Sequence, residues 1–156
     1  MLECGGLRFR AAVGARGIAA KRAEGDGITP TGVFPFRNVL YRADRLARPV
    51  TALPLQEIAP DDGWCDAPSD VAYNRPVQRP YRAGAEALWR DDHLYDLLVV
   101  IGFNDAPVVP GAGSAIFLHV ARGDYGPTQG CIALAKEDLL KVVAQLAPAD
   151  MIAIRA

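Results

Sequence analysis

The chain has 156 residues, of which 51% are hydrophobic and 22% charged; this balance supports a sizeable core and excludes a disordered polymer. Its formal net charge of −1 leaves no global basic field to draw in nucleic acid or an anionic membrane surface. No stretch reaches the roughly 18–20 apolar residues of a membrane-spanning helix, and Glu3, Arg8 and Arg10 interrupt the place where the apolar core of a signal peptide would lie.

Glycine (15) and proline (12) concentrate before residue 85 and between Pro107 and Gly113, a pattern of many turns and short strands. Leu7 to Val13 reads as a short strand, with Gly14 to Gly17 as its turn. Gly25-Asp26-Gly27 and Thr29-Pro30-Thr31-Gly32 place turn chemistry on both sides of Ile28. From there to Pro80 the chain is weakly periodic, with strand character near Phe34 to Tyr41; so long an irregular stretch is often functional surface. Gly84 to Asp92 predicts a short helix with Ala85, Leu88 and Trp89 on one face. Tyr95 to Phe103 is an almost unbroken apolar run rich in valine and isoleucine, expected as a strand buried on both faces. Ser114 to Ala121 predicts a second strand, with Ile116, Leu118 and Val120 alternating with Phe117 and His119. Lys136 to Leu146 carries Leu139, Val142, Val143 and Leu146 at helical spacing, acidic residues in its first turn, and Pro148 as a stop. Met151 to Ile154 predicts a closing strand. No internal repeat or low-complexity segment interrupts this order, and the expectation is one strand-rich α+β domain spanning residues 1–156.

Three cysteines are present, Cys4, Cys65 and Cys131. Cys4 and Cys65 either pair in an oxidising compartment, leaving Cys131 free, or all three are reduced and the first two merely packed. The segment Phe117-Leu118-His119-Val120, followed by Arg122-Gly123-Asp124-Tyr125-Gly126-Pro127 and Thr128-Gln129-Gly130-Cys131, carries the chemistry. A thiol needs a base or a positive neighbour to become a useful thiolate. His119 ends a strand, and a Gly/Pro-rich loop can fold Cys131 back towards it. Gly130 permits close backbone approach, and the amides of Gly130 and Cys131 are candidates to face a developing oxyanion. The bland alternative is a small buried cysteine and a satisfied core histidine.

The Thr128-Gln129-Gly130-Cys131 segment resembles the catalytic motif of the L,D-transpeptidase family of bacterial cell-wall enzymes, in which an upstream His is followed by Ser/Thr-His-Gly-Cys. Thr29-Pro30-Thr31-Gly32-Val33-Phe34 is similar to a Thr-Pro-x-Gly-x-Phe segment in the N-terminal part of those proteins. The segments Asp62-Gly63-Trp64-Cys65, Tyr73-Asn74-Arg75 and Pro107-Val108-Val109-Pro110-Gly111 look like a divergent branch of the same family. The resemblance implies a mixed β-sheet or sandwich domain with a few short helices and a C-terminal helix followed by a strand. It also implies acyl transfer between peptidoglycan stem peptides through a Cys131 thioester with His119 as base. No metal or organic cofactor is required, carbapenem acylation is expected, and an envelope-facing, periplasmic location follows. Gln129 stands where the motif has a second His, which leaves His119 as the base. Ala133 stands where a polar Asn or Arg commonly follows, and the loop between His119 and Thr128 is shorter than usual, which puts the usual substrate contacts in question. A carboxypeptidase or amidase hydrolysing stem peptides with the same Cys/His pair is the alternative, and a non-catalytic wall-binding module the rival from another class.

Candidate substrate contacts are Arg122 and Tyr125 on the loop between base and nucleophile, Thr128 and Gln129 in the motif turn, and the polar-aromatic group Tyr73, Asn74 and Arg75, with Tyr81 and Arg82 near it. Arg122 as a solvated loop cation is an equal reading. Trp64 and Trp89 read as packing residues. His93 is weighed as a third catalytic member or a zinc ligand. No short metal-ligand spacing accompanies it, and a surface histidine beside Asp91 and Asp92 is the simpler account.

Overall fold

The apolar run after Tyr95 forms the central strand of a mixed sheet in a computed structural model describing residues 1–156. In chain order the elements are β1 (Leu2–Cys4), β2 (Leu7–Phe9), β3 (Ile18–Ala19), β4 (Thr29–Pro30), β5 (Gly32–Tyr41), β6 (Leu55–Glu57), β7 (Asp62–Cys65), β8 (Pro76–Gln78), β9 (Ala85–Ala87), β10 (Leu97–Ile101), β11 (Phe117–Val120), β12 (Ile132–Leu134), α1 (Lys136–Val143) and β13 (Met151–Ile154). The main sheet runs β12-β11-β10-β5-β13, with β6 also paired to β5. The β11–β12 and β5–β6 pairs are parallel and the others antiparallel. The architecture is the expected strand-rich α+β arrangement, closing with a helix and then a strand.

All five residues of β10, all four of β11 and all three of β12 are buried, so both faces of the sheet are covered. Strand alternation divides their side chains. Val99, Leu118, Val120, Ile132 and Leu134 face Leu139, Val142 and Val143 of α1 in the larger apolar cluster. Leu98, Val100, Phe117 and Cys131 point the other way, into a smaller cluster with Leu40, Ile58, Leu88 and Tyr95. Covering this second face is the three-stranded sheet β8-β7-β9, whose Trp64 packs edge-on against Phe117 at 5.2 Å between ring centroids. His119 lies two residues beyond Phe117 on β11, on the same face.

Some expected elements differ, among them the strand from Leu7, which ends at Phe9 and gives way to isolated bridges at Ala12 and Gly14. The predicted helix at Gly84 to Asp92 is instead extended β9 followed by turns, leaving a single α-helix in the fold. Nine residues are too few to sustain a helix alone, and pairing with β7 (Gly63↔Ala87, Trp64↔Glu86, Cys65↔Ala85) supplies hydrogen bonds that an isolated turn would lack. The C-terminal helix ends at Val143 rather than Leu146. Ala144 and Gln145 close it with hydrogen bonds to Leu140 and Val142 carbonyls, while Leu146 stays buried just past its end. The stretch between Tyr41 and Pro80 holds β6, β7 and β8, short strands without a legible period. Cys4, Cys65 and Cys131 are all free thiols.

Candidate active site

The turn that carries Cys131 is clamped from both sides by backbone. On one side, Ala12 exchanges hydrogen bonds with Ala133 (2.8 and 2.9 Å), Thr128 N–H donates to Val13 and Ala15 N–H donates to Thr128. On the other lies β4, where Thr29 is fully buried. The Thr29 hydroxyl accepts from Gly14 N–H at 2.8 Å and leans on the Cys131 carbonyl at 3.4 Å. Thr128 Oγ1 donates to that same carbonyl at 2.6 Å and accepts from Gly130 N–H at 3.1 Å. The two sequence segments singled out as motifs, a hundred residues apart, therefore converge on one peptide unit. Gly130 adopts φ +136°, and a Cβ there would stand 2.9 Å from the Ile28 carbonyl oxygen; a side chain would be both strained and obstructed.

Cys131 leaves this turn on the inner face of the sheet. Its Sγ accepts from Phe117 N–H at 3.4 Å and its S–H donates to the Ala115 carbonyl at 3.2 Å. Gly130 N–H is already engaged by Thr128, whereas Cys131 N–H makes no hydrogen bond within the protein; of the two amides considered for an oxyanion, the Cys131 amide is the free one. His119 pairs in register with Ala133, two residues beyond Cys131, so thiol and imidazole are diagonal neighbours on one face. His119 Nδ1–H donates to the Val120 carbonyl oxygen at 2.8 Å. That bond fixes the tautomer and leaves Nε2 as the basic lone pair.

Burial lowers the His119 pKa from 6.5 to about 4; the Val120 carbonyl works against this, and the Arg90 and Arg122 charges add to it. Burial likewise raises Cys131 to about 12, with the Glu86 charge adding to the rise and Phe117 N–H and Lys21 opposing it. Both groups disfavour charge in the empty site, so the resting pair is neutral thiol and neutral imidazole.

Both side chains open onto a cleft of about 360 Å³. Of the sequence candidates, Arg122, Thr128 and Gln129 line it. Tyr125 does not: its ring lies under the Arg10 guanidinium at 4.1 Å. Tyr73 and Asn74 are buried, and neither they nor Arg75 reaches the cleft. Tyr73 OH donates to Glu24 and accepts from Gly113 N–H. Asn74 Oδ1 accepts from Trp64 Nε1–H at 2.9 Å and Ala115 N–H at 3.1 Å, while its Nδ2 donates to the Phe103 and Asn104 carbonyls. Asn74 thus holds the residue whose carbonyl receives the Cys131 S–H. Arg75 donates to the Asp105 carbonyl beside a separate hollow. Tyr81 and Arg82 bind Asp70. His93 lies outside the cleft, bonded to Asp96.

Sequence reading missed the charged walls. Lys21, Glu24, Asp66, Glu86 and Arg90 line the cleft. The Lys21 side chain is only 2% exposed and its Nζ bonds Asp26 at 2.6 Å. Burial pushes the Asp26 carboxyl up, but Lys21 and three backbone amides outweigh it and hold the pKa well below the usual range. Ser114, also on the wall, has a buried hydroxyl with no partner.

Comparison with known families matches residues 5–154 to the model of the L,D-transpeptidase catalytic domain. No curated protein and no solved structure matches the chain.

Proposed function

The chain belongs to the L,D-transpeptidase catalytic-domain family, whose match covers residues 5–154, and from that premise we propose that it is a peptidoglycan L,D-transpeptidase in which Cys131 is the nucleophile, His119 the base and residues 1–156 one catalytic domain. The observation that carries the reading is the placement of Cys131 and His119 on one sheet face at a shared cleft, with His119 Nδ1 tied to Val120 and Nε2 left free.

The cycle begins with the S–H turning from the Ala115 carbonyl towards Nε2. Nε2 takes the proton as Sγ attacks the carbonyl carbon of a donor stem peptide, so the neutral resting pair becomes charged only as the new C–S bond forms. The free Cys131 amide faces the oxyanion. Collapse expels the C-terminal residue as an amine, which takes the proton from His119, and leaves a Cys131 thioester. An acceptor amine from a neighbouring stem attacks that thioester, gives its proton to Nε2 and forms the cross-link, and the proton returns to sulfur. Arg122, Thr128 and Gln129, at the cleft wall, contact the substrate, and Arg122 suits a stem-peptide carboxylate. A carbapenem would acylate the same sulfur. The substrate places the protein at the cell envelope, facing the periplasm; no helix in the fold is long and apolar enough to cross a membrane.

Incubation with purified stem peptides, with products read by mass, tests this. Cross-linked dimer is expected; trimmed monomer alone would mean that water resolves the thioester and would refute the transferase in favour of the carboxypeptidase.

A further inference from the structure

Of β9, the residue that lines the Cys131 cleft is Glu86, the one charged side chain of that strand. The Tyr95 hydroxyl donates to Glu86 Oε1 at 2.5 Å. The Tyr95 ring then meets the His119 ring edge-on at 5.3 Å and the Phe117 ring edge-on at 5.9 Å. Phe117 in turn supplies the N–H that binds Cys131 Sγ. A single contact from the covering sheet is thus transmitted to both members of the pair. His119 is buried, and its one hydrogen bond is from Nδ1 to the Val120 carbonyl. The Tyr95 ring packs against that imidazole, and Tyr95 is itself held by Glu86 at one end and covered by the Arg90 guanidinium at 5.1 Å from its ring centroid.

We propose that Glu86 is a positioning residue for the Cys131–His119 pair, acting through Tyr95 to fix the imidazole, and that docking of the β8-β7-β9 sheet on the main sheet therefore sets the geometry of the reaction centre. The inference rests on His119 being the base for Cys131. It extends that reading to a residue two strands outside the motif.

Glu86 also acts by charge. It faces Asp66 and Glu24 on the acidic side, Arg90 and Tyr95 on the other, and Cys131 across the cleft. Burial raises the Glu86 pKa, with the Tyr95 hydrogen bond and Arg90 opposing and Asp66 and Glu24 adding. Its negative charge adds to the burial that disfavours a thiolate at Cys131.

Three variants separate the two roles. Glu86→Gln keeps an acceptor oxygen for Tyr95 and removes the charge. Glu86→Leu removes both, and Tyr95→Phe keeps the ring but cuts the anchor. The chain has only two histidines, so imidazole NMR resolves His119 from the exposed His93. In Glu86→Leu and Tyr95→Phe the His119 signals should shift and broaden relative to the wild type, and kcat should fall at least about tenfold with KM little changed; Glu86→Gln should restore both. Iodoacetamide modification of Cys131, mapped by peptide mass across pH, should move to lower pH in Glu86→Gln. Circular dichroism controls for folding, and Glu86→Gln, the mildest change, keeps the alkylation readout interpretable should Glu86→Leu misfold. His119 signals unchanged in Tyr95→Phe would overturn the proposal, and an alkylation profile unchanged in Glu86→Gln would overturn the accompanying charge effect. Neither readout requires a peptidoglycan substrate. Wild-type protein inert towards stem peptides, with His119 still responding to Glu86, would therefore defeat the transpeptidase reading and leave this one standing.

Discussion

The Cys131 carbonyl receives two threonine hydroxyls from distant parts of the chain, and a double-mutant cycle on Thr29 and Thr128 measures how firmly they hold the nucleophile turn. Valine replaces threonine in each case, preserving the β-branch and its restricted χ1 while deleting the hydroxyl. Thr29→Val strands the buried Gly14 N–H, which donates to Oγ1 at 2.8 Å; an orphaned buried donor costs about 1–3 kcal/mol. The same change removes a 3.4 Å contact to the Cys131 carbonyl, weak while Thr128 holds that oxygen but able to shorten once the Thr128 hydroxyl is deleted. Thr128→Val deletes the 2.6 Å bond to that carbonyl and the acceptor for Gly130 N–H, for about 1–2 kcal/mol. After either single change the carbonyl keeps one hydroxyl; after both it keeps none. The double variant should therefore lose about 1 kcal/mol more than the sum of the singles, the coupling expected of groups that share a partner. Urea denaturation gives each value from the shift of midpoint at constant slope. Additivity within about 0.3 kcal/mol, or a Thr29→Val cost below about 0.5 kcal/mol, would show that these hydroxyls do not jointly hold the turn.

Other consequences follow from the same geometry. His119 is held neutral in the fold, so its contribution is fully present above its unfolded pKa of 6.5 and is lost as pH falls towards the folded value of about 4, some 3 kcal/mol at about 1.4 kcal/mol per unit. Denaturant titrations should show that decline between pH 6.5 and 4 in the wild type, and a His119→Gln variant should flatten it. Cys131 has the opposite sign: its pKa is raised from 9.0 to about 12, so stability present below pH 9 is lost as pH rises through that window, and Cys131→Ala should remove the loss in alkaline melts. Asn74→Ala gives up four hydrogen bonds at a position with φ 56°, and calorimetry should register a loss on the order of 3–4 kcal/mol although the residue never touches the cleft. Gly130→Ala forces a Cβ to 2.9 Å from the Ile28 carbonyl, and steady-state kinetics should show kcat falling by orders of magnitude as the Cys131 turn shifts.

The parts of the molecule that were legible in the sequence are those whose signal is local. The apolar run after Tyr95, the alternation around Phe117 and the helical spacing from Leu139 each report burial through a short-range period, and each element forms within the predicted stretch, with shorter ends. The candidate Cys131 and His119 stand out because few residue types do that chemistry, and the Thr29 segment because its turn residues are distinctive. The covering sheet was hidden for the opposite reason. β7, β8 and β9 are three or four residues long, and nothing within Ala85-Glu86-Ala87 distinguishes a strand from a helical turn until β7 lies beside it. Glu86 and Arg90 therefore fall in a stretch whose sequence reads as a helix and whose structure is β9 and the turns after it. Tyr73 and Asn74 are illegible for another reason: their composition resembles a binding surface, but both turn inward, where every side-chain polar atom is satisfied by backbone or by a neighbouring side chain. A polar-aromatic cluster carries the same letters whether it faces a ligand or holds a loop.

Acylation of Cys131 tests the central claim most directly. Intact-protein mass spectrometry after brief incubation with a tetrapeptide stem donor should show a mass gain equal to the donor acyl group, mapping to Cys131 and absent from Cys131→Ala, with the adduct lost on adding an acceptor stem. A folded protein that gains no mass and forms no product, or an adduct that survives the Cys131→Ala change, would contradict it.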